Sequence, residues 1–356
     1  MGVFDHAEFD DHESLHFFTD AASGLQAIIS IHSTVLGPAA GGVRRWTYAS
    51  KADALTDVLR LSRGMTYKNA VADIPFGGGK AVILASDLAP KSAQLMVAFG
   101  RAVQSLGGCY ITAEDVGMSV ADMHHVREQT EYVTGLPQRG DKAGGDPSPW
   151  TAVGVFLGIE AAVKARLGKD SVAGLTVAVQ GVGHVGAKLC RLLHEAGAKL
   201  LVADVSRDCL EQVSAELPVD IVAPNEILYA AADVLAPCAL GNILTSATIP
   251  KIKAQVIAGA ANNQLATEAD GARLTERDIL YAPDYVVNAG GIINVSHEFH
   301  GDSSEDHVRA DIKRIPARLR AIFEDASESG RPTNELADEL ARSLIAAGRK
   351  QQETTA

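Results

Sequence analysis

Cysteine is scarce in these 356 residues and forms no pattern. Cys109, Cys190, Cys209 and Cys238 lie far apart among apolar neighbours, with neither metal-knuckle spacing nor a disulfide framework. A stapled secreted scaffold is excluded, no metal is expected, and a reducing cytoplasm is the expected location. Positive charge is short as well. Lys and Arg number 32 against 44 Asp and Glu, a net −12, which excludes the basic footprint of a nucleic-acid binder. Long apolar runs are missing, and residues 1–11 are acidic, so neither a membrane helix nor a secretory leader is expected.

Apolar material is plentiful. At 47% hydrophobic and 21% charged residues the chain has enough to bury, which excludes disorder as its main state. At roughly 100–200 residues per domain, two domains are expected. The 33 glycines cluster at Gly41-Gly42, Gly77-Gly78-Gly79, Gly181 to Gly186 and Gly290-Gly291. Glycine serves where backbone approaches a ligand or takes positive φ, so four clusters suggest a cleft lined by loops.

In the first part, Leu25, Ala27, Ile29 and Ile31 alternate with polar residues as in a half-buried strand. Ser50 caps a helix whose stripe is Leu55, Val58, Leu59 and Leu61. Ala81–Leu84 reads as a strand after a glycine loop, 92–105 as a helix and Tyr110–Thr112 as a strand. Residues 134–149, rich in Gly, Pro and Asp, read as a linker, and a long helix starts at Ser148-Pro149. Beyond it, 176–180, 200–203, 233–236, 256–258 and 285–287 are short apolar runs separated by helical stretches. That alternation implies a parallel sheet covered on both faces. Residues 305–352 read as helical.

The run 176–180 leads into Gly181-Val182-Gly183-His184-Val185-Gly186 and then a helical stripe. The first glycine makes the tight turn, the second admits a pyrophosphate, and the third lets helix pack on strand. The next strand ends at Asp204, where an acid accepts from the ribose hydroxyls and repels a 2′-phosphate, so NAD is expected over NADP. Arg207, close by, works against that repulsion.

Lys68 and Lys80 stand twelve apart. On spacing alone they are solvated surface charges. Their apolar flanks favour a different reading, in which one works as acid or base in a partly desolvated cleft and the other holds a carboxylate. Asp115 follows a strand end, where an acid either moves a proton or caps a turn; its own sequence favours neither.

The segments Gly37–Arg44, Met65–Ala70, Gly77–Lys80, Thr112–Asp115, Pro147–Thr151, Ala236–Gly241, Gly259–Gln264 and Asn288–Gly291 together resemble the glutamate/leucine/phenylalanine/valine dehydrogenase family, in order and at compatible spacing to about residue 330. They stand nearest to its leucine-acting members. One departure is Val43-Arg44-Arg45-Trp46, where a small residue or Thr usually precedes the first Arg and Met follows it; Arg45 is unexplained and read as surface.

The resemblance implies an α/β chain: an N-terminal α/β substrate-binding and oligomerisation domain (1–135), a C-terminal Rossmann-like doubly wound NAD-binding domain (136–330) with a cleft between them, and a helical tail (331–356) whose return to the first domain is left open. It implies NAD-dependent reversible oxidative deamination of an apolar, branched-chain L-amino acid to its 2-oxo acid and ammonium by a homo-oligomer, with phenylalanine as the alternative substrate. Lys80 is the implied acid/base, assisted by Asp115, and Lys68 binds the substrate carboxylate. Gly41, Gly42, Met65, Ala40, Ala113, Asn262, Ile292 and Val295 lie about the substrate. The cofactor falls to Arg44, Thr151, Gln180, Gly181, Val182, Gly183, His184, Val185, Gly186, Asp204, Val205, Ala236, Pro237, Cys238, Ala260, Asn262 and Asn288. A 2-hydroxy-acid dehydrogenase would need a His–acid pair near an Arg instead. A nucleotide-binding protein without catalysis would not need Lys68, Lys80 and Asp115.

Overall fold

In the computed structural model, residues 2–86, 90–137, 142–301 and 304–355 are described. The chain divides into two compact units, one of residues 1–146, 294–305 and 341–356, the other of 147–293 and 306–340. By packing, the first boundary therefore falls at 146, later than 135, and residues 294–305 and 341–356 belong with the N-terminal part.

The first unit holds β1 (Ser14–Asp20), β2 (Leu25–Ser33), β3 (Ala39–Trp46), α1 (Lys51–Val71), β4 (Gly77–Leu84), α2 (Ala93–Gln104), β5 (Tyr110–Glu114) and α3 (Val120–Arg127). The sheet order is β1-β2-β4-β3-β5, antiparallel from β1 to β4 and parallel from β4 to β5. One face forms the main core, where Ile29, Val43, Ala81 and Tyr110 meet Leu95, Phe99 and Val126. Against the other lies α1, with Ala54 and Val58 on Ile28 and Val82. Ser50 caps α1 by accepting from the Asp53 N–H.

Two glycine clusters expected in loops are strand. Gly77–Gly79 open β4, and Gly41 and Gly42 lie within β3. The reason is close packing. A Cβ at Gly78 would fall 2.1 Å from the Thr66 nitrogen of α1, and one at Gly77 2.0 Å from the Ser33 carbonyl. Bare backbone lets α1 sit directly on the sheet.

The second unit begins with α4 (Ser148–Leu167) and continues through β6 (Thr176–Gln180), α5 (His184–Glu195), β7 (Lys199–Ala203), α6 (Arg207–Glu216), β8 (Val219–Ile221), β9 (Val234–Pro237), β10 (Val256–Ile257), α7 (Ala269–Glu276), β11 (Leu280–Tyr281) and α8 (Asp284–Val287). Then come α9 (Gly290–His300), α10 (Glu305–Ile312), α11 (Ile315–Ser329) and α12 (Thr333–Thr355), of which residues 294–305 and 341–355 count with the first unit. The sheet is parallel throughout, in the order β11-β10-β9-β6-β7-β8. Its sequence reverses direction beside β6, the switch point where doubly wound sheets bind ligands.

The run 285–287, expected as a strand, is the short helix α8. Pro283 sets the turn before it, and the edge strand of the sheet is Leu280–Tyr281 instead. Three apolar residues carry no periodicity that separates helix from strand. Residues 138–141 of the linker stretch lie outside the described residues.

Candidate active site

Lys80 lies on the α1 face of β4 and is only 6% exposed. Its Nζ stands 2.8 Å from Oδ2 of Asp115, which follows β5. Between β4 and β5 runs β3, so the Lys80 side chain reaches across that strand. Glycine makes the crossing possible. A Cβ at Gly42 would fall 2.9 Å from the Asp115 Cβ, and one at Gly41 would fall 1.9 Å from the Gly79 carbonyl and 3.1 Å from Met65 Cγ. The Gly41 carbonyl is fixed by the buried Tyr110 hydroxyl, which donates to it at 2.6 Å.

Asp115 also accepts from Arg44 Nε at 3.2 Å. Burial alone would push its carboxyl up, but the Lys80 ammonium and the Arg44 guanidinium outweigh burial and hold it at about 2. Asp115 is therefore ionised and bonded to the buried Lys80 side chain.

Other expected substrate residues lie on α1, β3, β5 and α9. Met65 and Lys68 are half-buried on the last turns of α1. Ala40, buried on β3, pairs with Gly78 on one side and Ile111 on the other, while Ala113 pairs with Gly42. Ile292 and Val295 are buried on α9. Arg44, expected on the cofactor side, lies in the first unit with its guanidinium engaged by Asp57 and Asp115. Two carboxylates account for its charge without a dinucleotide. Arg45, read as surface, is half-buried, and its N–H donates to the Val116 carbonyl.

Sequence reading missed Asp57, Tyr48 and Asn69. Asp57 accepts from Arg44 and from the Tyr48 hydroxyl, and Asn69 Nδ2 donates to the Gly77 carbonyl at 2.6 Å. A signal for Asp57 existed. An acid three residues after Ala54 and next to Val58 sits on the inner stripe of α1, where a carboxylate needs a partner.

In the second unit the glycine turn joins β6 to α5. Gly181 has φ +92°, a conformation suited to glycine, and a Cβ at Gly186 would fall 1.9 Å from the Gly181 carbonyl. Gly183 differs, since nothing lies within 4 Å of a Cβ there. His184 and Gly183 are exposed at the start of α5, and Val185 is half-buried. Asp204 caps the far side of the turn, accepting from the Val182 N–H and from the Ser206 N–H, each at 2.8 Å. Val205 beside it is 92% exposed.

Ala236 and Pro237 end β9, and the Cys238 N–H donates to the Gln180 carbonyl at 2.7 Å. Asn288, 3% exposed, donates through Nδ2 to the Ala260 carbonyl at 3.0 Å and to Asn262 Oδ1 at 2.8 Å. Thr151 Oγ1 donates to the Pro147 carbonyl and would meet a Cβ at Gly291 at 2.6 Å. Among the described residues, the buried Asn288 Oδ1 and Gln180 Oε1 have no hydrogen-bond partner. Two orphaned acceptors, an open Gly183 and a helix N-terminus fit a dinucleotide carrying a carboxamide and a pyrophosphate. Among the described residues no group of three or more His, Cys, Asp or Glu is arranged to hold a metal, and no helix is long and apolar enough to cross a membrane.

Two family models match in succession. The Glu/Leu/Phe/Val dehydrogenase dimerisation domain covers residues 12–132, and the glutamate/leucine/phenylalanine/valine dehydrogenase model covers 146–207 and 202–347. A leucine dehydrogenase of Thermoactinomyces intermedius is 47% identical over 99% of this chain and 96% of its own length. One from Geobacillus stearothermophilus is 48% identical over 98% and 95%. The solved L-tryptophan dehydrogenase of Nostoc punctiforme superposes with a TM-score of 0.83 at 45% identity, covering 96% of this chain and 97% of that one. With the paired Lys80 and Asp115 on one sheet and the glycine turn on another, these matches make the chain a member of the glutamate/leucine/phenylalanine/valine dehydrogenase family.

Proposed function

We propose that this protein catalyses the NAD-dependent, reversible oxidative deamination of a branched-chain L-amino acid. Amino acid, water and the oxidised dinucleotide give 2-oxo acid, ammonium, the reduced dinucleotide and a proton. The observation that carries the reading is the contact of the buried Lys80 with the half-buried Asp115, in a chain that matches relatives named leucine dehydrogenase along nearly its whole length.

Hydride acceptance from the α-carbon is the chemistry a bound nicotinamide supplies. Asn288 and Thr151 would hold its carboxamide, and the turn from Gly181 to Gly186 with Gln180, Ala236, Pro237, Cys238 and Ala260 would cradle the rest. Asp204 with Val205 would take the adenine ribose. The carboxylate of Asp204 favours NAD over NADP.

Loss of hydride leaves an iminium, and its hydrolysis is the work of this chain's own side chains. The neutral amine of Lys80 takes a proton from the attacking water, and the ammonium so formed returns it to the departing ammonia. Asp115, ionised, pairs with that ammonium and accepts a hydrogen bond from the neutral amine. Lys68 would pin the substrate carboxylate by a charge-assisted contact, with Gly41, Gly42, Met65 and Asn262 about it.

The wall proposed for the side chain, Ala40, Ala113, Ile292 and Val295, is apolar. It offers no cation to a second carboxylate, so glutamate is excluded: burying that charge unpaired costs several kcal/mol. Branched aliphatic side chains fit. A second reading, an aromatic amino acid, rests on the small Ala40 and on relatives named L-tryptophan dehydrogenase at 46% and phenylalanine dehydrogenase at 41% identity. A homo-oligomer built through the N-terminal domain and a cytoplasmic location complete the proposal.

The test is a panel of L-amino acids with NAD, followed at the absorbance of NADH, and of 2-oxo acids with ammonium in reverse. Highest kcat/KM on leucine, isoleucine or valine is expected. A higher value on phenylalanine or tryptophan replaces the first reading with the second, and glutamate as best substrate overturns both.

A further inference from the structure

The catalytic pair is joined to a second ion pair that proton transfer does not by itself require. Asp115 Oδ2 accepts from Lys80 at 2.8 Å and from Arg44 Nε at 3.2 Å. The other end of the same guanidinium, Nη1, reaches Asp57 Oδ1 at 3.3 Å and Oδ2 at 3.0 Å. Asp57 Oδ2 also accepts from the Tyr48 hydroxyl at 2.7 Å. The charges alternate along Lys80, Asp115, Arg44 and Asp57, and the four cancel. Each comes from a different place: β4, the end of β5, β3 and α1.

We propose that Arg44 and Asp57 are positioning residues for the catalytic pair: Asp57 fixes the Arg44 guanidinium from α1 and so sets where the Asp115 carboxylate stands relative to Lys80. The inference rests on the acid/base role of Lys80 and Asp115 proposed above.

A guanidinium is a rigid planar fork, so holding one edge aims the other. With Nη1 bound by Asp57, only Nε is turned to Asp115, and that carboxylate keeps its contact with Lys80. Released from Asp57, the fork is free to take Asp115 through two parallel hydrogen bonds, the geometry an arginine and a carboxylate prefer. That draws the carboxylate off the ammonium. It also leaves the cluster with one excess positive charge.

Among the described residues, Arg44 is bonded by no carboxylate besides Asp57 and Asp115. Burial pushes the Tyr48 hydroxyl well above its ordinary range, with the bond to Asp57 adding to this, and burial does the same for Tyr110, so both phenols stay neutral. Glu114, next in the chain, is exposed. The side chains of Arg44 and Asp57 are 24% and 27% exposed, so water screens the pair only in part.

Kinetics and a substrate-free titration test the proposal. Asp57→Asn is expected to lower kcat about tenfold with the KM for NAD within about twofold of the parent, and to move the acid limb of the kcat profile about half a unit to lower pH, because an anion has been removed. Asp57→Glu, which keeps the charge, recovers most of the loss. Parental kcat with an unmoved limb in Asp57→Asn overturns the proposal, as does an equal loss in both variants with the limb unmoved, the mark of a merely structural role. If Asp57→Asn does not fold, Tyr48→Phe replaces it. A kcat about twofold lower at unchanged KM for NAD is then expected, and parental kcat counts against the proposal.

The titration follows the Asp115 carboxyl by ¹³C NMR, assigned with Asp115→Asn. In Arg44→Gln its pKa is expected to rise by at least about one unit, and an unmoved value overturns the proposal. This arm needs no substrate. A parent enzyme inactive on every apolar amino acid would remove the proposed function while leaving the titration to judge the ion chain.

Discussion

Lys80 Nζ and Asp115 Oδ2 stand 2.8 Å apart although β3 separates their strands, and Gly41 and Gly42 on that strand leave the path open. Lys80 is 6% exposed, and the Asp115 carboxylate gives its buried nitrogen a polar partner at hydrogen-bond distance. Lys80→Ala is therefore expected to lower kcat by about two to four orders of magnitude. The Kd for NAD, measured by fluorescence titration, should stay near the parental value, because the glycine turn belongs to the second unit. Near-normal kcat would remove Lys80 as the acid/base.

Only the family resemblance joins Lys80 to Asp115 in the sequence, whereas the glycine turn is legible in its own spacing. Gly181 to Gly186, the strand before them, the helix after them and Asp204 form one contiguous βαβ pattern whose spacing carries the geometry. Lys80 and Asp115 meet only because the order β4-β3-β5 brings distant segments together, and no local period encodes strand order. Likewise, nothing in Val43-Arg44-Arg45 announces that Asp57 stands opposite Arg44 on α1. Glycine usually marks turns, so by sequence the clusters at 41–42 and 77–79 read as loops. Here it marks backbone packed against backbone and helix.

Acid sensitivity is expected from the first unit. His32 is buried, bonded through Nδ1 to Thr66 Oγ1 at 2.8 Å, with the His12 ring 4.7 Å away edge-on. Burial pushes its pKa down to about 4, the neighbouring His12 adds to this, and Asp10 opposes it. A depressed folded pKa gives stability that is complete above the unfolded value of 6.5 and lost as pH falls toward about 4. The loss is on the order of 3 kcal/mol. Urea unfolding across that window should show stability falling in the parent and falling less steeply in His32→Gln. Equal slopes would count against the assignment.

Cofactor choice is expected to follow Asp204. Its two oxygens are fixed by the Val182 and Ser206 N–H groups, so the carboxylate cannot swing away from a 2′-phosphate. The parent should therefore show a higher kcat/KM with NAD than with NADP. Asp204→Ser should narrow the ratio by about tenfold or more, leaving the exposed Arg207 to meet the phosphate. A parent that prefers NADP would reverse the expectation.

The turn itself separates a folding glycine from a binding one. At Gly186 a Cβ would fall 1.9 Å from the Gly181 carbonyl and 3.4 Å from Cys238 Cβ, so Gly186→Ala must push α5 away from β6. The backbone carbonyl has no room to yield, and both the thermal midpoint and NAD binding should fall. At Gly183 φ is −72°, outside the left-handed region that favours glycine, and nothing lies within 4 Å of the added carbon. Gly183→Ala should keep the parental midpoint. Its methyl would instead occupy the space through which a pyrophosphate reaches the α5 N-terminus, raising the Kd for NAD by about tenfold or more. Differential scanning fluorimetry and NAD titration on the two variants distinguish these effects. Tight NAD binding in Gly183→Ala would place the pyrophosphate somewhere other than this turn.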